Sequence, residues 1–391
     1  MGRRALRANL ALGASVFALL LVPAELLLRR LAPVRTVFYA FDPRALYRPR
    51  PFAAQAFTYP LGREPEVALR FDARGYRGDG REPPAGALRV AVFGDSFVEA
   101  RLTREEHTFP VRLAALLSTA LGRPVAAINA GASGYGPDQE LRRMEEDVPA
   151  LAPRLVVVVI FAGNDAGDLV RNGLFRLQDG QLVPNDWQLD DGVRRFMDRP
   201  WFGGLALVRA VNRVGDRVGR AVHPPPPQDT PEDALGDCRR EYEERLRHPR
   251  RVQPLQSDHY DADLALDPSS ASAAYKRSLL RPLLLRLRQA AAALHVPLLL
   301  LIVPHPTDAC RGCPQQVDAA RFPDYRRSTL TDLWATAARD EGLAFEDLFP
   351  SFWDEGRGAF YFAGDGHWNV EGQERAARLA AARVLAAGWL R

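Results

Sequence analysis

The stretch LVVVVIF, Leu155–Phe161, decides the fold of this chain. Seven consecutive apolar residues, most of them β-branched, are typical of a strand that is buried on both faces. Two further runs, LRVAVF at Leu88–Phe93 and PLLLLIV at Pro297–Val303, have the same character. We therefore expect these segments to be strands of one parallel sheet that helices cover on both sides.

Segments with helical spacing alternate with these apolar runs. Helices are predicted at Thr108–Leu121, Gln139–Val148, Ser278–Leu294, Thr329–Glu341 and Val370–Leu390, with short strands at Val125–Asn129 and Leu343–Phe345. Strands that alternate with helices predict an α/β fold with a parallel sheet.

Two stretches depart from this alternation. Residues 44–80 are rich in Pro and Arg and are expected to form an irregular lead-in. Residues 172–275 contain the tetraproline PPPP and possible helices near Leu205–Val222 and Asp237–Arg247. A plain connection of that length is uncommon. We therefore predict an insertion over one edge of the sheet, which could serve as a lid.

The amino-terminal segment predicts contact with a membrane. Leu10–Leu28 contains Glu25 as its only charge, and as a helix it would approach the ~30 Å thickness of the hydrocarbon core. Small residues at 22–24 leave a cleaved signal peptide open, but the apolar run continues past them. We expect residues 1–40 to be a signal anchor and residues 41–391 to form one hydrolase domain outside the cytoplasm.

The charge distribution argues against a nucleic-acid partner. The chain has a formal net charge of +4, and residues 1–40 hold six arginines and one glutamate. The remaining residues are therefore close to neutral, which argues strongly against an extended basic surface that tracks phosphates.

Three cysteines leave the redox compartment open. Cys310 and Cys313 form the sequence CRGC and could be a small disulfide or two free thiols, while Cys238 stands apart. A four-cysteine zinc site is impossible, and a mixed site with His305 and Asp308 is disfavoured.

Three short segments that follow predicted strands carry candidate chemistry. Ser96 in FGDSF could be a nucleophile or a helix cap. Gly134 in NAGASGYG could belong to a simple turn or direct a backbone N–H at an anion. Asn164 in GND could cap a helix or donate a hydrogen bond to an oxyanion.

A fourth segment, DGHWN, precedes the last predicted helix. His367 could be a packed loop histidine, but Asp365 lies two residues away and could hold the imidazole in one tautomer. Each segment alone is a weak signal. A nucleophile, two oxyanion donors and a base with its orienting acid, all in one α/β domain, form a strong set.

These four blocks resemble those of the SGNH/GDSL superfamily of serine hydrolases. The similarity covers about Leu88–Asp168 and Ala273–Leu390. It implies a flavodoxin-like three-layer α/β/α fold, ester hydrolysis or acyl transfer, and no metal or organic cofactor.

The resemblance also implies a role for each matching residue. Ser96 would attack the ester carbonyl, His367 would take its proton, and Asp365 would orient His367. The N–H groups of Ser96 and Gly134 and the Asn164 side chain would stabilise the oxyanion.

Two positions depart from the family pattern. Ala100 stands where many members have glycine, a change that we expect to affect only packing. Many members place the acid three residues before the histidine, where this chain has Gly364. The pair Asp365 and His367 instead resembles the Asp-x-His-Trp motif of alginate and cell-wall O-acetylation proteins.

The sequence thus predicts a membrane-anchored serine esterase or O-acetyltransferase acting on small acyl esters, such as acetylated glycans. The alternative is a non-catalytic glycan-binding or polysaccharide-acetylation assembly subunit on the same fold. His107 and His305 lie near family segments and are expected to be structural or solvated, and Asp165 and Asp168 are expected at the pocket mouth.

Overall fold

The computed structural model describes residues 19–28, 39–57, 67–198, 230–253, 259–313, 315–353, 359–362 and 365–391. The strands are β1 (Tyr39–Asp42), β2 (Leu46–Pro49), β3 (Ala54–Phe57), β4 (Val67–Arg70), β5 (Leu88–Phe93), β6 (Val125–Asn129), β7 (Leu155–Phe161), β8 (Phe175–Gln178), β9 (Gln181–Pro184), β10 (Leu298–Val303) and β11 (Ala344–Asp347). The helices from residue 96 onward are α1 (Ser96–Glu99), α2 (Phe109–Leu121), α3 (Pro137–Leu151), α4 (Asp165–Asn172), α5 (Asp191–Asp198), α6 (Ala234–Arg247), α7 (Ala262–Leu266), α8 (Ala271–Ala293), α9 (Pro306–Ala309), α10 (Thr329–Asp340), α11 (Phe349–Phe352) and α12 (Val370–Ala387).

The central sheet has the strand order β11-β10-β7-β5-β6, and all of its strands are parallel. The strand β7 lies in the middle, between the other two apolar runs. The predicted parallel α/β sheet is therefore confirmed. Because parallel strands end at the same edge, the loops that follow β5, β6, β7 and β10 meet there.

Two separate cores explain why β7 has no polar residues. Val156, Val158 and Ile160 belong to one core, which helices α3, α8 and α10 complete. Val157 and Val159 point the other way and pack with helices α2 and α12. Both sets are fully buried, as expected when successive side chains point to opposite faces of a covered sheet.

The prediction of an irregular lead-in at residues 44–80 is wrong. The strands β1 and β2 form one antiparallel hairpin, and β3 and β4 form another. Each strand is only four residues long, and contacts with distant residues support the first hairpin. The Tyr47 hydroxyl donates to the Ser133 carbonyl, and the Gln139 side chain donates to the Ala45 carbonyl.

The described part of the insertion packs on a helical layer, where we expected the insertion over a sheet edge. Helix α6 contains the predicted helix Asp237–Arg247 and packs against α4, α7 and α8. The hairpin β8–β9 packs against α8. The second predicted helix, Leu205–Val222, lies outside the described residues, and the boundaries 172–275 stay a prediction.

The predicted membrane helix receives no support from the structure. Residues 19–28 are helical and largely exposed, and the rest of Leu10–Leu28 lies outside the described residues. Within the described part of the chain, no helix combines the length and the apolar character that a membrane crossing needs.

Candidate active site

Ser96 is the first residue of helix α1, directly after β5. The helix is capped by the Asp95 side chain, which accepts a hydrogen bond of 2.8 Å from the Phe97 N–H. The alternative of Ser96 as a helix cap is therefore wrong. Since the neighbouring carboxylate satisfies this end of the helix, the Ser96 hydroxyl is available for a different partner.

That partner is His367. Its Nε2 lies 2.7 Å from Ser96 Oγ, and its Nδ1 lies 2.5 Å from Asp365 Oδ1. A carboxylate can only accept at Nδ1, so the imidazole carries its proton there and turns the Nε2 lone pair toward the serine. This serial arrangement is that of a Ser-His-Asp triad.

Aromatic side chains fix the position of the histidine. Trp368 is buried, and its ring lies 5.0 Å from the Phe97 ring. The Phe97 ring in turn lies 5.2 Å from the His367 ring. Phe97 and Trp368, which follow Ser96 and His367 in sequence, therefore pack on each other. This contact fixes helix α1 relative to the loop that carries His367.

Three donors in the predicted oxyanion hole have no hydrogen-bond partner among the described residues: the N–H groups of Ser96 and Gly134 and the Asn164 amide. Gly134 has φ of 75°, a left-handed conformation that side chains disfavour. Asn164 Oδ1 is buried and unpaired. Ser96 and Asn164 line a cleft of about 440 Å³ with the triad, whereas Gly134 is not among its lining residues.

The insertion holds the loop that carries Asn164. The N–H of Asp261 donates to the Gly163 carbonyl at 2.7 Å. The Asp261 carboxylate accepts from the Gly167 N–H at 3.1 Å and from the Lys276 ammonium at 2.7 Å. Sequence reasoning missed this support because the partners lie about a hundred residues apart and no motif marks them.

Lys276 also occupies the centre of a possible metal site. Among the described residues, Cys238, Asp261 and Asp263 could bring ligand atoms together around an ion. The Lys276 Nζ lies 3.3, 2.7 and 2.8 Å from these groups. Burial opposes its charge, but Asp261, the Cys238 thiol and Asp263 raise the pKa of Lys276 above its ordinary value. The ammonium is thus the cation of this cluster.

His259 also lines the cleft, and the sequence did not reveal this residue. Its Nε2 lies 2.9 Å from the Glu241 carboxylate, and its Nδ1 lies 3.1 Å from the Tyr260 carbonyl. Both ring nitrogens therefore face acceptors. Burial alone would lower the pKa of His259, but contacts with the Cys238 thiol and Glu241 raise it to about 10.

Asp165 and Asp168 do not lie at the pocket mouth. Both are buried, and neither lines the cleft. Asp165 instead accepts from the Phe161 N–H at 2.7 Å and closes the turn after β7. Burial and the neighbouring acids raise the pKa of both Asp165 and Glu140, and both Glu140 carboxyl oxygens are buried with no hydrogen-bond partner in the described part of the chain.

Two sequence features change meaning in the structure. Ala100 has φ of 49° and ψ of 46°, a left-handed backbone that alanine disfavours, so alanine at this position affects the backbone conformation and not only packing. Cys310 and Cys313 are joined as a disulfide with a Cα–Cα distance of 5.4 Å. Their sulfurs are therefore not available to a mixed metal site.

A parallel α/β sheet that carries serine, histidine and aspartate in series at its carboxyl edge is an arrangement that serine hydrolases use. Residues 92–252 match the GDSL-like lipase/acylhydrolase family. This match confirms the resemblance to the SGNH/GDSL superfamily. It includes Ser96, Gly134 and Asn164, whereas Asp365 and His367 lie beyond it and are linked to the site by geometry. The catalytic roles of these residues stay predictions.

Solved structures show weaker likenesses. An α/β hydrolase from the metagenome of Lake Arreo is 16% identical, with 78% of this chain and 97% of that chain covered and a TM-score of 0.38. An acetyl xylan esterase variant from Geobacillus stearothermophilus is 13% identical, with 76% of this chain and 94% of that chain covered and a TM-score of 0.38. A lipase/acylhydrolase from Enterococcus faecalis is 14% identical, with 77% of this chain and 96% of that chain covered and a TM-score of 0.36. No curated protein sequence matches the chain significantly.

Proposed function

We propose that the protein is a serine esterase that removes small acyl groups, such as acetyl, from hydroxylated substrates. The observation that carries the proposal is the hydrogen-bonded series of Ser96, His367 and Asp365 inside a cleft that also holds unpaired donors. The family match supports acyl-ester hydrolysis at the level of the reaction class.

The geometry supports a two-step mechanism. Ser96 Oγ attacks the ester carbonyl while His367 Nε2 takes its proton, and Asp365 stabilises the imidazolium. The N–H groups of Ser96 and Gly134 and the Asn164 amide stabilise the oxyanion. His367 then protonates the departing alcohol oxygen, and a water activated by the same histidine releases the acid from the acyl-enzyme.

A hydrolysis assay tests the proposal. The purified full chain should hydrolyse p-nitrophenyl acetate, and Ser96→Ala should reduce kcat to the background rate. Ser269→Ala, which changes an exposed serine outside the cleft, should leave kcat unchanged. Hydrolysis that survives in Ser96→Ala would exclude Ser96 as the nucleophile.

Acyl transfer is a variant of the same chemistry in which an alcohol replaces water in the second step. The Asp-x-His-Trp motif, shared with O-acetylation proteins, motivates this variant. A transferase would release p-nitrophenol faster when a polysaccharide acceptor is added and would leave acetyl groups on that acceptor. Acetate as the sole acyl product would identify a hydrolase.

A non-catalytic glycan-binding subunit on the same fold is the competing function. The pairing of Ser96 with His367 argues against it, because a binding subunit has no need of an activated serine. A fluorophosphonate probe distinguishes the two functions, since it should label the wild-type protein at Ser96 and leave Ser96→Ala unlabelled.

Export and membrane anchoring by residues 1–40 are part of the same proposal and rest on the sequence alone. After fractionation of cells, the full chain should sediment with membranes and its carboxy-terminal part should be digested by protease added from outside the cytoplasm. A version that begins at residue 41 should lose the membrane association. Equal sedimentation of the two versions would reject the anchor.

A further inference from the structure

We propose that His305, which the triad does not use, is a specificity residue whose Nε2–H donates a hydrogen bond to an uncharged oxygen in the alcohol portion of the substrate. This inference rests on the proposed esterase function and names the substrate class of the same site. The class is a neutral polyol ester, such as an acetylated sugar.

The position of His305 brings it into the cleft. It follows strand β10 and is the cap of helix α9, at the same sheet edge as Ser96. The cleft that contains Ser96 and His367 is also lined by His305. The residue is therefore placed to touch a molecule that occupies the site.

Local hydrogen bonding fixes the tautomer. The Thr307 N–H donates to His305 Nδ1 at 3.1 Å, so Nδ1 must present its lone pair. Burial lowers the pKa of His305 to about 3, and the ring is therefore neutral at ordinary pH. Its one N–H must then be at Nε2.

The His305 Nε2–H keeps some exposure, and the side chain lines the cleft. No group among the described residues makes a hydrogen bond with Nε2, and the atom is not one of the buried polar atoms that lack a partner. A donor on a cleft-lining side chain that has no partner among the described residues can bind a substrate acceptor without breaking a bond to any of them.

The surroundings hold the ring in one orientation. The His305 ring lies 5.5 Å from the Phe161 ring and 5.0 Å from the Tyr260 ring. The Tyr260 hydroxyl donates to Asp308 at 2.8 Å, which fixes that ring in turn. At Gly163 a Cβ atom would lie 2.6 Å from His305 Cδ2, so the loop before Asn164 also confines the imidazole. Such a rigid donor loses little entropy on binding.

The charges of the cleft favour a neutral ligand. Asp95 and Asp365 are among its lining residues, with carboxylates that accept from the Phe97 N–H and from His367, and the cation of His259 is already paired with Glu241. A neutral donor beside two carboxylates suits a hydroxyl or ring oxygen better than a carboxylate or phosphate. This is the chemistry of a sugar alcohol.

The test compares two acetate esters that differ in the alcohol. Methyl 6-O-acetylglucoside offers acceptor oxygens around the ester, and phenyl acetate does not. For His305→Phe, which keeps a ring and removes the donor, the ratio of kcat/KM for the sugar ester to that for phenyl acetate should fall roughly two- to twelvefold, the effect of one neutral hydrogen bond. His305→Gln, which restores an N–H donor, should recover most of the ratio.

His248→Phe is the matched control, because His248 is exposed and outside the cleft. Its ratio should equal that of the wild type. An unchanged ratio in His305→Phe would overturn the inference, and so would a reduced ratio that His305→Gln does not raise, because the ring shape would then be responsible.

Binding provides a readout that does not need turnover. Calorimetry with the Ser96→Ala protein should show that adding His305→Phe weakens the affinity for methyl 6-O-acetylglucoside by a similar factor. Equal affinity in the two proteins would overturn the inference even if both esters are hydrolysed. Failure of the proposed function would look different, because wild-type and Ser96→Ala proteins would then hydrolyse phenyl acetate equally.

Discussion

Asn164 is the side chain whose chemistry in the cleft can be tested most cleanly. Its amide has no hydrogen-bond partner among the described residues, and its Oδ1 is buried. Removal of this side chain should therefore break no hydrogen bond to the described residues and should change the stability of the fold little. Any function of the amide should be seen in catalysis before it is seen in stability.

We expect Asn164→Ala to lower kcat for p-nitrophenyl acetate by about 10²–10³, the usual cost of one oxyanion-hole donor. KM should change little, because the amide acts on the developing oxyanion more than on the ground-state ester. Urea unfolding should give a midpoint close to that of the wild type. A raised KM with unchanged kcat would instead assign Asn164 to substrate binding.

At single positions, the sequence showed the candidate reacting groups and missed the residues that hold them in place. Ser96, Asp365 and His367 are readable because their chemistry demands those residue types in short motifs. The strain at Ala100 could not be read, since backbone angles depend on the turn that follows α1. The role of Asp261 was equally hidden, because its hydrogen bond to Gly163 forms between distant segments.

Among the elements, helix α8 contacts the insertion through the buried side chain of Lys276. Lys276 is almost completely buried and lies between Asp261 and Asp263. A buried charge that loses its partners is far more costly than an exposed one. The insertion and the Asn164 loop therefore share the Lys276 cluster as a buried electrostatic support.

Lys276→Met should reduce the free energy of unfolding by about 3–5 kcal/mol, because it leaves two buried carboxylates without their cation. Arg247→Met removes an exposed cation paired with Glu243 and should cost less than about 1 kcal/mol. Urea unfolding of both variants provides the comparison. Similar losses in the two would show that the buried cluster contributes no more than a surface pair.

His259 should make stability depend on pH. Its pKa is raised to about 10 in the folded protein, against an ordinary value of 6.5. The stabilisation is therefore fully present below pH 6.5 and is lost as pH rises toward 10. The unfolding free energy of the wild type minus that of His259→Gln should decrease across this interval. A difference that is constant from pH 6 to pH 10 would contradict a charged His259.

The strands of the sheet were predictable because a continuous apolar run such as Leu155–Phe161 is typical of a strand that is covered on both faces. The hairpins β1–β2 and β3–β4 were not predictable, since strands of four residues are too short for a periodic pattern to be recognised. Tertiary contacts, and not local propensity, stabilise such strands. The position of the insertion was hidden for the same reason.

For the whole molecule, the Cys310–Cys313 disulfide closes only a short loop and should add little stability. The chain-entropy model gives about 2 kcal/mol for a loop of four residues. Reduction should lower the unfolding free energy by no more than that, measured by urea unfolding with and without a thiol reductant. Mass spectrometry after alkylation should show an added group at Cys313 on the reduced native protein, with buried Cys238 and Cys310 protected. A loss above about 4 kcal/mol would mean that the disulfide supports more than its own loop.

The separation of 271 residues between Ser96 and His367 has a consequence for the life of the protein in the cell. A ribosome makes the nucleophile long before the base, at about 5–20 residues per second. During that interval the nascent polypeptide contains the serine and cannot activate it. The esterase that we propose is therefore silent throughout its own synthesis, and a chain cut short before residue 365 would hydrolyse nothing.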